Sequence, residues 1–220
     1  MTAHHRVVVF ASGRGSNFAA LVEAQRRDEL PIEVVALLSD KPAAQALARA
    51  RATDVEAVAL KPRDYASRAD FDHAIFDRAA QFAPDLIVLA GFMRIIDPAV
   101  VEQWRGRMIN IHPSLLPKYP GLQTHQRAID AGDAEHGASV HFVTAELDGG
   151  PVIAQVSLPV TLGDSSESLA ARLLPLEHRL LIATTGLIAG GEIALDGNVV
   201  VRNGKPLAAP LHLDTDGRLG

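Results

Sequence analysis

The strongest constraint on this chain is its rhythm. Short runs of valine, isoleucine and leucine alternate with longer alanine-rich, charged segments. Strands of a parallel sheet are covered on both faces, so they read as continuous apolar runs, and each return to the sheet needs a helix-length connection. The rhythm therefore predicts an α/β fold: a Rossmann-like, mostly parallel sheet with helices on both faces. Strands are expected at 6–11, 33–38, 57–60 and 86–90, with helices at 16–28, 42–53 and 67–82 between them. In the last of these helices Phe71, Ile75, Phe76 and Ala79 keep the i, i+4 spacing of a buried stripe. Asp97-Pro98 reads as an N-cap followed by an N1 proline.

The pattern changes after a fifth strand at 108–111. Pro113, Pro117, Pro120 and Gly121 break up a loop, and a short helix follows at 124–131. Strands at 138–143 and 152–160 join across Asp148-Gly149-Gly150-Pro151, and a long helical segment at 165–188 is interrupted in pattern by Pro175. Asn203-Gly204 marks a hairpin turn within 199–205. Repeats and linkers are absent, so the expectation is one compact unit with halves at 1–104 and 105–220.

Composition removes several classes of function. With 21 basic against 26 acidic residues the chain has no positive field to hold a nucleic acid, and 5% aromatics leave few stacking platforms. The absence of cysteine excludes disulfides, thiolate metal sites and a cysteine nucleophile. Apolar runs such as 86–90 fall far short of the ~20 residues of a membrane helix. The start, Met1-Thr2-Ala3-His4-His5-Arg6, lacks the apolar stretch of a signal peptide, so a cytoplasmic protein is expected.

Ligands of open α/β sheets bind beyond the carboxyl ends of the strands. Those positions hold Ser12-Gly13-Arg14-Gly15-Ser16-Asn17, Ser39-Asp40-Lys41, Gly91-Phe92-Met93-Arg94 and His112-Pro113-Ser114. The first loop sets two glycines and a hydroxyl before a helix, which suits a phosphate. A dinucleotide fingerprint with Asp40 on the ribose is one reading, but Phe18 occupies the third glycine position, and a monophosphate fits better. A tight turn without a ligand is the plain alternative. Asn110 and His112, two residues apart on a strand, share a face and supply an amide donor and an imidazole for a carbonyl addition. A histidine at a strand end also serves simply as a hydrogen-bonded structural residue.

Asp148 sits on a turn that could return a carboxylate to His112, favouring the imidazolium and orienting the ring. Asp-Gly-Gly-Pro is equally ordinary turn chemistry. No metal site is expected. No His-Glu-x-x-His occurs, and alternation puts His136 and His141, near Glu135, on opposite faces of their strand. His4, His5, His73 and His212 are expected to be exposed. No Gly-x-Ser-x-Gly elbow supports a serine hydrolase, and Ser114 lies only two residues from His112.

The runs 12–17, 89–95, 110–121 and 136–143, followed by 146–151, closely resemble those of the phosphoribosylglycinamide formyltransferases, folate-dependent enzymes of purine synthesis. The likeness extends in order over about residues 6–190. It implies a formyltransferase-type fold and transfer of a formyl group from 10-formyltetrahydrofolate to the amine of glycinamide ribonucleotide. The first half would bind the mononucleotide phosphate, and the second would carry catalysis and folate. Asn110, His112 and Asp148 become the catalytic set. Gly15, Ser16 and Asn17 would hold the phosphate, and Glu177 the ribose. The folate would lie along Met93, Arg94, Ile95 and Ile96, with Arg68 nearby and Asn110, Thr144, Ala145, Glu146, Leu147 and Asp148 around it. No metal is needed, since a deprotonated amine held beside the donor is already a good nucleophile. The partners implied are small molecules, with a homodimer compatible with the sequence.

Two related families transfer the formyl group elsewhere. Methionyl-tRNA formyltransferases carry an extra domain and a basic surface, for which this chain is too short and too acidic. Formyltetrahydrofolate deformylases usually have an N-terminal domain, for which a strand beginning at Arg6 leaves no room. A formyl-folate hydrolase and a non-catalytic nucleotide-binding module remain the competing functions. The chain departs from the family at Gln123, where many members have histidine, at Leu174-Pro175-Leu176 before Glu177, and at Leu181-Ile182 in place of Tyr-Pro. The residues after about 195 match weakly and imply no role.

Overall fold

The computed structural model describes residues 4–220, and the apolar runs become strands of a mostly parallel sheet flanked by helices. The chain divides into two compact units between Asn110 and Ile111. In the first, strands β1 (His5–Phe10), β2 (Ile32–Ser39), β3 (Glu56–Ala59), β4 (Leu86–Leu89) and the start of β5 (Met108–His112), which runs on past the division, alternate with helices α1 (Ser16–Arg26), α2 (Gln45–Arg51), α3 (Arg68–Ala80) and α4 (Pro98–Gln103). All pairs are parallel, in the order β5-β4-β1-β2-β3, so β1 lies between β2 and β4. Its residues Val7 to Phe10 are wholly excluded from solvent. The Phe10 ring stacks on Phe76 of α3 at 4.8 Å and meets Phe92 edge-on at 5.2 Å, anchoring the loop after β4 to the core.

Local chemistry sets the helix ends. Ser67 caps α3 by accepting from the Asp70 N–H, and Asp97 caps α4 from Ala99 with Pro98 at N1, as the sequence predicts. Helix α2 starts three residues later than the expected 42. Residues 41–44 form a turn, and the Ala46 N–H is drawn to the Gly13 carbonyl of the glycine loop.

The second unit contains α5 (Thr124–Asp130), β6 (Glu135–Phe142), β7 (Val152–Pro159), α6 (Ser166–Ala189), β8 (Ile193–Asp196), β9 (Val199–Arg202), β10 (Lys205–Pro206) and β11 (Leu211–His212). Strands β6 and β7 pair antiparallel, and β11 adds to β7 in parallel. Strand β6 begins three residues before the expected 138, where Glu135, His136 and Gly137 masked it. A Cβ on Gly137 would lie 2.0 Å from the Val156 carbonyl oxygen, so only glycine allows that approach.

Helix α6 runs through Pro175 without the expected interruption. A Ser165–Ser168 capping box starts it, and its buried face of Leu169, Leu173, Leu180, Leu181, Thr184 and Ile188 outweighs the one missing N–H. Asn203 and Gly204, both at left-handed φ (51° and 74°), make the predicted turn between β9 and β10. Strands β8 and β11 lay outside the sequence expectation. His5 and His73 are half-buried rather than exposed, because each stands at the edge of packed core. No helix among the described residues is long and apolar enough to cross a membrane.

Candidate active site

The glycine loop after β1 opens α1 through Gly15, at φ 72°, with no side chain capping the helix and no acidic residue in its first turn. Its N-terminal dipole is thus uncancelled. Gly15 is required twice over. Its φ is left-handed, and a Cβ there would fall 2.6 Å from Ala46 Cβ and 2.8 Å from Ala46 Cα. Gly15 and Asn17 are buried and Ser16 is half-buried.

The Ser12 hydroxyl donates to Asp40 Oδ1 at 2.6 Å and accepts from the Met93 N–H at 2.9 Å. One side chain therefore ties the ends of β1, β2 and β4 together. Asp40 is buried and gives one carboxylate oxygen to this internal bond. In the segment after β4, Met93 and Ile95 are exposed, Arg94 is half-buried and Ile96 is buried. The Arg94 guanidinium lies over the Phe71 ring at 4.5 Å, with its Nε 3.7 Å from Asp72 Oδ1. Arg68, exposed at the start of α3, also acts electrostatically on Asp72, so both arginines of the expected folate site fall in one neighbourhood.

On β5 Asn110 is half-buried and His112 is buried, and their spacing puts both on one face. His112 Nε2 donates to the Tyr119 carbonyl at 2.9 Å, and Nδ1 lies 3.5 Å from Asp148 Oδ2. The ring is thus held between a backbone carbonyl at one nitrogen and a carboxylate facing the other. The Tyr119 carbonyl is itself held, since the Tyr119 hydroxyl donates to Asp133 Oδ2 at 2.8 Å and Lys118 Nζ to Asp133 Oδ1 at 3.0 Å. The Lys118 and Tyr119 hydrogen bonds hold the Asp133 carboxyl below the usual range. Buried Ser139 fastens the same loop, donating to the Ser114 carbonyl at 2.7 Å and accepting from the Leu116 N–H at 3.0 Å.

Asp148 reaches His112 because its turn docks on β6. The Asp148 φ is 52°, and Oδ2 accepts from the Gly121 N–H at 2.8 Å. A Cβ on Gly150 would lie 1.8 Å from the Phe142 carbonyl oxygen, so glycine there is what lets the turn close down. His141 approaches Asp148 Oδ1 from the other side at 3.8 Å and donates through Nδ1 to the Phe142 carbonyl at 2.9 Å. Burial pushes the His141 imidazole down. His125 Nδ1 and His136 Nε2 meet at 2.9 Å, and burial, then the neighbouring His125, lowers His136 to about 4. The register of β6 against β7 shifts between Val140 and His141.

The formyl transferase family profile matches residues 5–185. The phosphoribosylglycinamide formyltransferase of Escherichia coli is 44% identical over 201 residues, which is 91% of this chain and 95% of that protein. The chain belongs to this family. The crystal structure of the phosphoribosylglycinamide formyltransferase of Coxiella burnetii superposes with a TM-score of 0.89 at 42% identity, covering 93% of this chain and 96% of that one. A formyltetrahydrofolate deformylase from Pseudomonas syringae is more distant, with a TM-score of 0.83 at 25% identity over 91% of this chain and 66% of its own.

Within the formyltransferase frame, Glu177 lies half-buried on α6, and Gln123 stands at φ 58° as the N-cap of α5. Thr144 is half-buried, and Ala145, Glu146 and Leu147 are exposed on the loop leading to Asp148. Sequence reasoning missed the supports of the site: Ser12, Tyr119 through its carbonyl, Gly121 through its N–H, His141, and Asp72. Only Asp72 left a readable signal, as a charge within the buried stripe of α3.

Proposed function

We propose that this chain transfers a formyl group from 10-formyltetrahydrofolate to the amine of glycinamide ribonucleotide, as a cytoplasmic step of purine synthesis. The amine nitrogen attacks the formyl carbon, and the carbonyl oxygen gains the negative charge. Asn110 and the imidazolium of His112 donate to that oxygen. Collapse of the tetrahedral species breaks the bond to the folate nitrogen, which takes the proton lost by the amine. Asp148 holds His112 in its charged form and orders water for the proton movement.

The observation that carries this reading is the ring of His112, fixed by the Tyr119 carbonyl at Nε2 and facing Asp148 at Nδ1. The remaining roles follow the family pattern residue by residue. The ribonucleotide phosphate is assigned to Gly15, Ser16 and Asn17 at the start of α1, and its ribose to Glu177. The folate is assigned to Met93, Arg94, Ile95 and Ile96 with Arg68, and to Asn110 and Thr144, Ala145, Glu146, Leu147 and Asp148.

The test follows the absorbance change of folate product formation with purified protein and 10-formyltetrahydrofolate. Turnover that requires glycinamide ribonucleotide is the expected result. Equal turnover without it would make water the acceptor and the protein a hydrolase. No turnover in either case would leave a nucleotide-binding module.

A further inference from the structure

Helix α3 buries a stripe of Phe71, Asp72, Ile75, Phe76 and Ala79, and Asp72 is its one charged member. Its carboxylate has no contact with solvent. A buried carboxylate is unfavourable unless its oxygens are satisfied. Here only one is. Oδ2 accepts from the Asp97 N–H at 2.9 Å, closing the loop that starts at Met93. Oδ1 accepts no hydrogen bond and faces Arg94 Nε at 3.7 Å, an atom equally enclosed and equally without a hydrogen bond. Burial pushes the Asp72 carboxyl up, and the Asp97 N–H and the Arg94 guanidinium pull it down.

A backbone staple alone would be served by an asparagine. The second oxygen has a different use. We infer that Asp72 is the positioning residue of the folate loop, with Oδ1 holding Arg94 at the back of its guanidinium while the Phe71 ring supports its face. The ion pair is made through Nε and the ring contact through the guanidinium face, so neither engages the Nη edge of the fork. An arginine on a loop between exposed Met93 and Ile95 would otherwise sample many rotamers, and fixing it beforehand removes that entropy from binding. A planar fork presented this way suits an anionic group of the co-substrate. The inference rests on the reading that places folate along residues 93–96.

The experiment measures the dissociation constant of 10-formyltetrahydrofolate by calorimetry, independent of turnover, together with KM for both substrates and kcat. Asp72→Asn keeps an acceptor for the Asp97 N–H and turns an amide toward Arg94. The expected result is folate binding weakened about tenfold, with KM for the ribonucleotide and kcat within about twofold of the parent. Arg94→Ala should weaken folate binding at least as much, and the double variant no further than Arg94→Ala alone. Additive losses in the double variant would make Asp72 a structural staple and overturn the proposal. Unchanged folate affinity in Asp72→Asn, with loss in Arg94→Ala, would overturn it too. Unchanged affinity in Arg94→Ala would instead refute the folate assignment beneath it. Should Asp72→Asn not fold, Arg94→Lys carries the test: it keeps the charge but loses Nε and the planar face. Folate affinity should fall as in Arg94→Ala, and parent-like affinity would overturn the proposal.

Discussion

Replacing Gly150 by alanine should disable the site from a residue that touches no substrate. The φ of Gly150 lies outside the left-handed region, so the entire effect is steric. The added Cβ would fall 1.8 Å from the Phe142 carbonyl oxygen, whereas ordinary contact begins at 3.4 Å. The turn must therefore lift by about 1.6 Å. If Asp148, two residues away, lifts with it, its separation from His112 Nδ1 grows from 3.5 Å to about 5.1 Å. At an effective dielectric of about 20 the attraction falls from about 4.7 to about 3.3 kcal/mol. A loss of about 1.5 kcal/mol from a charge felt in the transition state is roughly tenfold in kcat, and misalignment can extend it toward a hundredfold. Steady-state kinetics should show this fall with KM for the ribonucleotide unchanged. Gly149→Ala is the built-in control. The atoms nearest its Cβ belong to the Glu146 side chain, at 2.5 Å, and that exposed carboxylate can swing aside. A Gly150→Ala protein with kcat within twofold of the parent would refute the docking argument.

Three further outcomes are expected. Asp148→Asn should lower kcat by at least about tenfold while calorimetry finds ribonucleotide binding intact, and unchanged turnover would sink the Asp148–His112 coupling. Gly15→Ala combines a left-handed φ with a clash against Ala46, and should lower the urea-unfolding free energy by about 2 kcal/mol and weaken ribonucleotide binding. Gly13→Ala, with nothing within 4 Å of its Cβ, should do neither. His136 is lowered to about 4 in the folded state, so below its ordinary value near 6.5 the unfolded chain binds the proton first. Stability should hold above about pH 6.5 and fall as pH drops toward 4, by up to about 3 kcal/mol from this group. Urea midpoints read at intervals across that range test this, and His136→Gln should flatten the profile.

The parallel α/β rhythm was legible because burial on both faces is written directly into apolar runs. The pairing of Asn110 with His112 was legible for a similar reason, since a period of two needs only local spacing. Asp148 could be read only as turn chemistry. Its approach to His112 depends on Gly150 seating against the Phe142 carbonyl, a contact between backbone atoms that no side-chain pattern records. The dinucleotide reading of Asp40 was already disfavoured by Phe18, but the bond that Asp40 accepts from Ser12 had no local signal, because it joins residues 28 apart in the chain. The start of β6 was hidden by exposed Glu135 and by His136 and Gly137, which are buried through contacts distant in the chain. Asp72 was visible as a residue and invisible as a device, because its meaning lies in the loop that ends at Asp97.

The edge strands β3 and β11 bear on how the protein behaves when concentrated. Open margins invite strand-to-strand association between molecules. At one margin β3 is only four residues long, begins with Glu56 and is soon followed by Pro62, a poor template for a passing chain. At the other, β11 lies against Ala154 and Gln155 of β7, and the Leu213 N–H takes up the Gln155 carbonyl, so that stretch of ladder is already occupied. Both edges, like the net charge of -5, work against strand-to-strand association.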